Sequence, residues 1–478
     1  MNGMHKTVGF WLKKVGLHRG SPRLWFDSIR VASAGMIPGG RFDVVALSSG
    51  LKLVASDVGR YTVSSKERDG RRLPVIDINS REVLAPLEGH SVVRVVVRTD
   101  GIFVMPLASE VAKRERIDRL KAKLESGAPI LSASIAHGGG VLSHAAHAGM
   151  AEAGMEMDLA LFCEIEEGYV EQSLRRNDAT TDRTLPLCAP IQELVQDEWA
   201  MKQIPRVEVL EMGLPCSGAS RAGKSKRGLS LMEQHPEVGH LVYAALALIQ
   251  KLQPAAVVLE NVEDYSVSAS AQILRSQLRD MGYQVREHVL GARDYGLLEN
   301  RVRWALVATT DGLRPVDSPP EPTGNGVLKL GDLLDVVPED AQCWSEMRYL
   351  KEKAVRDKEA GKGFAMQLVD GDSISVPTIR KSYNKGGSTD PYVCHPSNPS
   401  LMRKFTPAEH ARIKGVPPEL VEGLPATTAH EVLGQGIAYT PFKLLFKELG
   451  QRFNELRSTG PVWTGECAAG ARLIAAIG

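Results

Sequence analysis

Short apolar runs rich in β-branched residues recur through the first hundred positions of the chain. Residues 42–47 and 92–97 have the composition and length of half-buried strands. Asp100-Gly101 separates the second run from residues 102–105, and an Asp-Gly pair between two apolar runs predicts a tight hairpin. The pattern therefore predicts a β-rich N-terminal module over residues 1–109.

The hydrophobic period lengthens after this module. Ile117, Leu120 and Leu124 lie at helical spacing within a strongly charged segment that ends at Gly127. This spacing predicts an amphipathic connecting helix over residues 110–127.

Continuous apolar runs then alternate with segments long enough to form helices. Such runs indicate strands buried on both faces, and their alternation with helices is typical of an α/β sheet. The predicted strands cover residues 130–136, 159–164, 207–212, 255–259 and 285–290.

A glycine turn follows the first of these strands. Ile135-Ala136-His137-Gly138-Gly139-Gly140 would let a cofactor approach the backbone before a helix begins. Glu164 ends the next strand about 25 residues later, where a Rossmann-like fold hydrogen-bonds a ribose. His137, His144 and His147 have no accompanying Cys or carboxylate, so no metal site is predicted.

A cysteine follows the third strand. Gly213-Leu214-Pro215-Cys216 predicts a rigid loop that presents a thiol at the carboxyl edge of the sheet. Nearby cations favour the thiolate, which is the nucleophilic form, and they could also hold a polyanion. A buried, inert cysteine is the alternative that the Pro-Cys pair alone leaves open. The cations that follow are Arg221, Lys224, Lys226 and Arg227.

Later segments complete an ordered set of motifs. Glu260-Asn261-Val262 ends the fourth strand, and Glu299, Arg301 and Arg303 lead into another. In this order and spacing, the Pro-Cys loop, the Glu-Asn-Val segment and the Arg-x-Arg pair closely resemble the cytosine-5 DNA methyltransferase family. Residues 403–412 resemble the returning helix of that family, with Thr406 as N-cap and Glu409 as its capping-box partner.

The resemblance implies a chemistry. Cys216 would attack C6 of a cytosine so that C5 can accept a methyl group, with Glu260 at N3 and the exocyclic amine. Arg303, with Arg301 nearby, would stabilise the O2 side. The base must first be flipped out of the duplex, and the small cationic loop 217–228 is suited to closing over it. The residues expected to contact DNA are Ser217, Ser220, Arg221, Lys224, Lys226, Arg227, Arg380, Lys381 and Lys385.

The implied cofactor is S-adenosylmethionine. Glu164 would bind the ribose hydroxyls, and Ile165 would lie against the adenine ring. The residues expected to form the cofactor site are Ile135, Ala136, His137, Gly138, Gly139, Gly140, Glu164, Ile165, Pro215, Leu241, Gly434, Gln435 and Gly436.

The predicted fold is α/β: a Rossmann-like S-adenosylmethionine-dependent methyltransferase domain with a small target-recognition domain and the N-terminal β-rich module. The chain is expected to leave the catalytic domain and return to it. The expected segments are the N-terminal module 1–109, the connecting helix 110–127, the catalytic domain 128–310, the target-recognition region 311–402, the return 403–460 and a tail 461–478.

The sequence departs from the family pattern at four positions. Ile135 and His137 replace the Phe and the first Gly of Phe-x-Gly-x-Gly-Gly, a change expected to weaken cofactor binding. Glu299 replaces the Gln of Gln-x-Arg-x-Arg, where a carboxylate would oppose thiolate formation and repel phosphate. Gln435 replaces an Asn. Two alternatives therefore stay open: a tRNA cytosine-5 methyltransferase and a catalytically inactive DNA-binding regulator.

Composition limits the remaining choices. The 478 residues carry a net charge of only +1, so a DNA-facing surface must be a local concentration of cations. Six cysteines without CxxC spacing and no apolar run of about 20 residues predict a cytoplasmic protein with reduced thiols. The expected partners are double-stranded DNA and, as a candidate, a cognate restriction endonuclease. Residues 34–40 resemble the swapped-hairpin modules of AbrB-like and SymE-like proteins; the alternative is a small barrel or sandwich that braces the enzyme or mediates dimerisation.

Overall fold

The structure is a computed structural model in which the chain forms two compact units. The first contains the described residues up to 115, with 279–283 and 463. The second contains residues 116–278 and 284–462. The structure describes residues 6–216, 218, 219, 228, 230–322, 328–362 and 366–463.

The first unit is β-rich. Its elements are β1 (Thr7–Lys14), β2 (Gly16–His18), β3 (Ser21–Asp27), β4 (Arg41–Leu47), β5 (Gly50–Ala55), β6 (Tyr61–Thr62), β7 (Ser64–Arg68), β8 (Arg71–Ile78), α1 (Arg81–Leu84), β9 (Val92–Arg98) and β10 (Gly101–Pro106). They form two sheets, ordered β1-β9-β10-β5-β4-β6 and β2-β3-β8-β7. Val93, Val95 and Val97 are buried on one face of β9, as the period of a strand requires. The hairpin predicted at Asp100-Gly101 is confirmed, since Gly101 pairs with Arg98.

Helix α2 (Ala108–Ser126) follows β10 and leads into the second unit. It starts two residues before the predicted segment and ends one residue before its predicted end. Ile117, Leu120 and Leu124 are buried in the core of the second unit. Gly127 has a φ of +69°, a conformation that glycine adopts freely, and this ends the helix.

The second unit is built on strands that alternate with helices. Its first elements are β11 (Ile130–Ile135), α3 (Val141–Glu152), β12 (Met157–Glu164), α4 (Glu167–Arg176), β13 (Leu185–Cys188), α5 (Ile191–Leu194), α6 (Glu198–Gln203), β14 (Val209–Met212), α7 (Leu241–Leu252), β15 (Ala256–Asn261), α8 (Ala269–Asp280), β16 (Tyr283–Gly291) and β17 (Val302–Thr310). The strand predicted over 207–212 begins at Val209, and the strand predicted over 255–259 extends to Asn261.

Seven of these strands form one sheet, ordered β13-β12-β11-β14-β15-β17-β16. Strands β11 to β15 run parallel, and β17 is antiparallel to β15. The order reverses between β11 and β14, because the chain builds outward from β11 on one side and from β14 on the other. In open α/β sheets, ligands bind outside the carboxyl ends of strands at such a switch point.

The rest of the second unit, within the described residues, adds a small sheet and four α-helices. The elements are α9 (Arg348–Glu359), β18 (Gln367–Val369), β19 (Pro391–Cys394), β20 (Met402–Arg403), α10 (Pro407–Ile413), α11 (Ala426–Gln435) and α12 (Tyr439–Thr459). The predicted capping box is confirmed: Glu409 N donates to Thr406 Oγ1, and Thr406 N donates to Glu409 Oε2. Within the described ranges, every helix is too short or too polar to cross a membrane.

Candidate active site

The loop that carries Cys216 leaves the sheet at the switch point. Gly213 N donates to Ile135 O at 3.1 Å, which joins this loop to the end of β11. A methyl group built on Gly213 would lie 3.9 Å from Glu260 Oε2, so the two strand ends meet here. Asn261 Nδ2 donates to Leu214 O at 3.0 Å and holds the loop from β15. The partly buried Cys216 thiol therefore lies at the carboxyl edge of the sheet.

Two arginines and a carboxylate surround this loop. Glu260 is the second-last residue of β15, and Arg303 lies near the start of the adjacent β17, so Arg303 Nε comes within 2.7 Å of Glu260 Oε1. Arg301 is 3% exposed, and its Nη2 donates to Gly434 O at 3.2 Å. Arg301 Nε has no hydrogen-bond partner among the described residues. The site thus combines a thiol, an ion pair and a buried guanidinium with a free donor.

The electrostatics of the thiol reflect these neighbours. Burial and then the Glu260 carboxylate raise the pKa of Cys216, while Arg303 and Arg301 act in the opposite direction. The thiol is therefore protonated at neutral pH. Formation of the thiolate requires either an additional positive charge nearby or neutralisation of the Glu260 carboxylate. The four cations predicted to favour the thiolate, Arg221 to Arg227, lie outside the described residues.

The structure corrects the expectation for Glu299. Its side chain is fully buried, so it is not exposed to a phosphate in solvent. Glu299 Oε2 lies 3.3 Å from Lys414 Nζ, and Glu299 Oε1 lies 3.5 Å from Arg301 Nη1 and accepts from Ile379 N at 2.9 Å. Lys414 and Arg301 therefore compensate the charge of this carboxylate inside the protein.

The glycine turn connects β11 to α3. Ala136, Gly138 and Gly140 all have positive φ, at 54°, 58° and 75°. Glu164 Oε2 accepts from Gly138 N at 2.6 Å, and Glu164 Oε1 accepts from the two amides that follow it. Oε1 already accepts two hydrogen bonds, whereas Oε2 accepts one and has a second lone pair that can accept a hydroxyl proton.

The side chain of His137 packs inside the protein, next to the glycine turn. Its ring stacks on Phe162 with centroids 4.3 Å apart, and its two nitrogens lie 2.7 Å from Ser134 Oγ and Ser173 Oγ. Burial lowers the pKa of His137 to about 3, so the ring is neutral. Its side chain is thus a structural element packed inside the protein.

The other predicted cofactor residues differ in exposure, and one of them faces the glycine turn. Ile165 is 59% exposed just beyond β12, Pro215 is exposed beside Cys216, and Leu241 is buried at the start of α7. Gln435 Nε2 is buried with no partner among the described residues, and it faces Gly138, whose added Cβ would lie 3.2 Å away. The free amide, the strand-end carboxylate and the open glycine backbone fit a ligand with hydroxyl and carboxylate groups.

Of the predicted DNA contacts, three are described. Arg380 donates to Asp390 Oδ1 through both Nε and Nη2, so its guanidinium also holds its own loop in place. Lys381 lies 5.0 Å from the centre of the Tyr169 ring, and Lys385 is exposed. The remaining candidates, Ser217, Ser220, Arg221, Lys224, Lys226 and Arg227, lie outside the described residues.

Sequence reasoning missed two residues of the site. Asn261 was visible only as part of the Glu-Asn-Val segment, and its bond to the Cys216 loop could have been suspected from that position. Lys414 gave no signal, because one lysine near the end of a helix is ordinarily solvated.

Comparisons with solved structures define the class. The chain resembles S. pombe Dnmt2 methyltransferase with a TM-score of 0.53 at 16% identity, covering 69% of this chain and 99% of that one. It resembles the methyltransferase EhMeth of Entamoeba histolytica with a TM-score of 0.51 at 17% identity and the same coverage. The fold is therefore that of an α/β methyltransferase.

Sequence comparisons define the family. Residues 189–451 match the model of the C-5 cytosine-specific DNA methylase family, and the chain belongs to that family. It is 29% identical over 253 residues to the type II methyltransferase M.NlaX of Neisseria lactamica, across 52% of this chain and 77% of that protein. It is 28% identical over 244 residues to M1.ScrFI of Lactococcus lactis subsp. cremoris, across 50% and 60% respectively. The resemblance that the motifs indicated is confirmed.

Proposed function

We propose that this chain transfers a methyl group from S-adenosylmethionine to C5 of a flipped cytosine in duplex DNA through a covalent Cys216 adduct. One observation carries the proposal. The Cys216 loop is held at the sheet switch point beside the Glu260–Arg303 ion pair and Arg301, whose Nε lacks a partner.

The cofactor site fits the donor. Glu164 would accept the ribose hydroxyls, Ile165 would cover the adenine, and Gln435 Nε2 would donate to the donor's polar groups. When bound, S-adenosylmethionine supplies an electrophilic methyl group on a sulfonium.

The residues of the chain would activate the ring. The Cys216 thiolate adds to C6 and forms a C6–S bond, which makes C5 electron-rich enough to take the methyl group. Glu260 would hold N3 and the exocyclic amine, while Arg303 and Arg301 would balance the negative charge that develops towards O2. As the methyl group bonds to C5, its bond to the donor sulfur would break and a neutral thioether would leave. The C5 proton would then pass to a water molecule, and the electrons of the C5–H bond would re-form the C5–C6 double bond while the C6–S bond breaks and returns the thiolate.

Target recognition is assigned to residues 311–402. A cavity of about 430 Å³ is lined by residues of this region, among them Tyr349, Lys385 and Tyr392, and by Lys404 just after it. Cations beside aromatic rings suit phosphate and base-edge contacts. The type II names of the relatives support a restriction-modification setting, in which a cognate endonuclease would recognise the same sequence.

The nucleophile is tested with Cys216→Ser in an assay of tritiated methyl transfer to duplex DNA. Transfer should fall to background, while calorimetric affinity for S-adenosylmethionine stays close to the wild-type value. Cys343→Ser is the matched control, since Cys343 is an exposed thiol in the target-recognition region. Methyl transfer that survives in Cys216→Ser would overturn the assignment.

The substrate is tested in the same assay. Duplex DNA should accept methyl groups and tRNA should not; the reverse result would support the RNA alternative. Failure of the wild-type chain to bind S-adenosylmethionine would instead favour the inactive regulator. Bisulfite sequencing of DNA from cells that express the chain would give the target sequence.

A further inference from the structure

Two opposite charges are completely buried behind the candidate active site. Glu299 and Lys414 are each 0% exposed, and Glu299 Oε2 lies 3.3 Å from Lys414 Nζ. They are 115 residues apart in the sequence. Glu299 stands where the family pattern has a neutral Gln. The negative charge of the pair is therefore a departure from that pattern.

Glu299 and Lys414 contact Arg301 and two other segments that are distant from each other in the sequence. Glu299 Oε1 accepts from Ile379 N in the target-recognition region, 2.9 Å away, and lies 3.5 Å from Arg301 Nη1. Lys414 Nζ donates to Gly436 O at 3.3 Å, in the segment that follows α11. The pair therefore connects three parts of the chain: the residues just before β17, the target-recognition region, and Gly436, which is a predicted cofactor residue.

Neither charge is stable alone at this depth. Burial first, and then repulsion by Arg301, lowers the pKa of Lys414 to about 7, whereas Glu299 raises it. The Lys414 ammonium in turn lowers the pKa of Glu299 against the effect of burial. Removing one partner of a buried ion pair leaves the other uncompensated, whereas removing both charges is often tolerated.

We propose that Glu299 and Lys414 are a compensating pair that positions Arg301 and the 376–380 segment for methyl transfer. Neither residue touches the reacting atoms, and the proposal rests on the proposed function. The pair predicts that restoring the family's Gln at position 299 alone lowers the rate of methyl transfer, because the buried Lys414 then has no counter-charge.

The test is a double-mutant cycle of E299Q, K414Q and E299Q/K414Q, measured by single-turnover methyl transfer. Misplacing Arg301 should lower the rate of E299Q on the order of tenfold to a hundredfold, with little change in donor affinity. The double variant should recover to within about threefold of wild type, because two buried amides can hydrogen-bond each other and Gly436 O.

Glu208→Gln is the matched control. Glu208 is also fully buried, pairs with Arg119 Nε at 2.8 Å and accepts from Leu131 N, but it lies at the opposite end of the sheet. It should lower the Tm without lowering the methyl-transfer rate of the folded protein. An E299Q variant that behaves like this control, or that is as active as wild type, would overturn the positioning role.

Hydrogen exchange separates this proposal from the proposed function, because it needs no turnover. Peptides that cover 376–380 should exchange faster in E299Q and recover in the double variant. If the wild-type chain transfers no methyl group but the variants show this exchange pattern, the proposed function is contradicted and the compensating role of Glu299 and Lys414 is supported. A double variant no better than E299Q in either measurement would overturn the compensation.

Discussion

Glu211→Gln should remove a pH dependence from the stability of the second unit. Glu211 lies on β14 and is 2% exposed, and its Oε1 has no partner among the described residues. Burial raises the pKa of its carboxyl to about 8, although the hydroxyl groups of Ser134 and Ser143 act the other way. The folded chain therefore carries a neutral acid at this position at neutral pH.

The sign follows from proton binding. In the unfolded chain the carboxyl ionises near pH 4.5. Between pH 4.5 and 8 the folded state holds a proton that the unfolded state has released, so the free energy of unfolding falls as pH rises. At about 1.36 kcal/mol per pH unit, the change from pH 4.5 to 7 removes roughly 3 kcal/mol. Below pH 4.5 both states are protonated and nothing is lost.

Urea unfolding of wild type and Glu211→Gln at a series of pH values measures this loss. Gln has nearly the same shape and cannot ionise, so the difference between the two proteins cancels the titration of other groups. The variant should be relatively more stable by about 3 kcal/mol at pH 7 than at pH 4.5. Parallel stability curves for the two proteins would refute the assignment of a neutral Glu211.

Three further predictions concern single contacts. Asn261→Ala frees the loop of Cys216 and should slow single-turnover methyl transfer on the order of tenfold or more, with donor affinity retained; an unchanged rate would contradict this. Gly434→Ala places a Cβ 2.4 Å from backbone atoms of Arg380, in the proposed target-recognition region, and should weaken DNA binding in gel shifts, whereas Gly168→Ala, with open space around it, should not. Thr406→Ala removes the cap of α10 and should cost about 1 kcal/mol in urea unfolding, while Thr406→Ser should cost less.

Elements that depend on neighbouring residues could be predicted well. The Asp100-Gly101 hairpin and the Thr406–Glu409 capping box are set by groups within a few residues of each other. The buried strands followed from continuous apolar runs. Ends of elements were less accurate, as at α2 and β14, because the last hydrogen bonds depend on what packs against them.

The effects of the departures could not be predicted. His137 was expected to weaken cofactor binding, and its partners Ser134, Phe162 and Ser173, which hold the ring inside the protein, were not predicted. Glu299 was expected to act on Cys216. Both expectations considered one side chain without the partners that tertiary packing brings to it.

The sequence by itself determined the order of strands and helices, and it determined which reactive groups stand at strand ends: Cys216, Glu260 and Arg303. Only the tertiary structure decided which charges are neutralised. The Coulomb energy of a buried group depends on distances of a few Å, and segments far apart in the chain set those distances. Lys414 therefore became part of the site only once the chain had folded around Glu299.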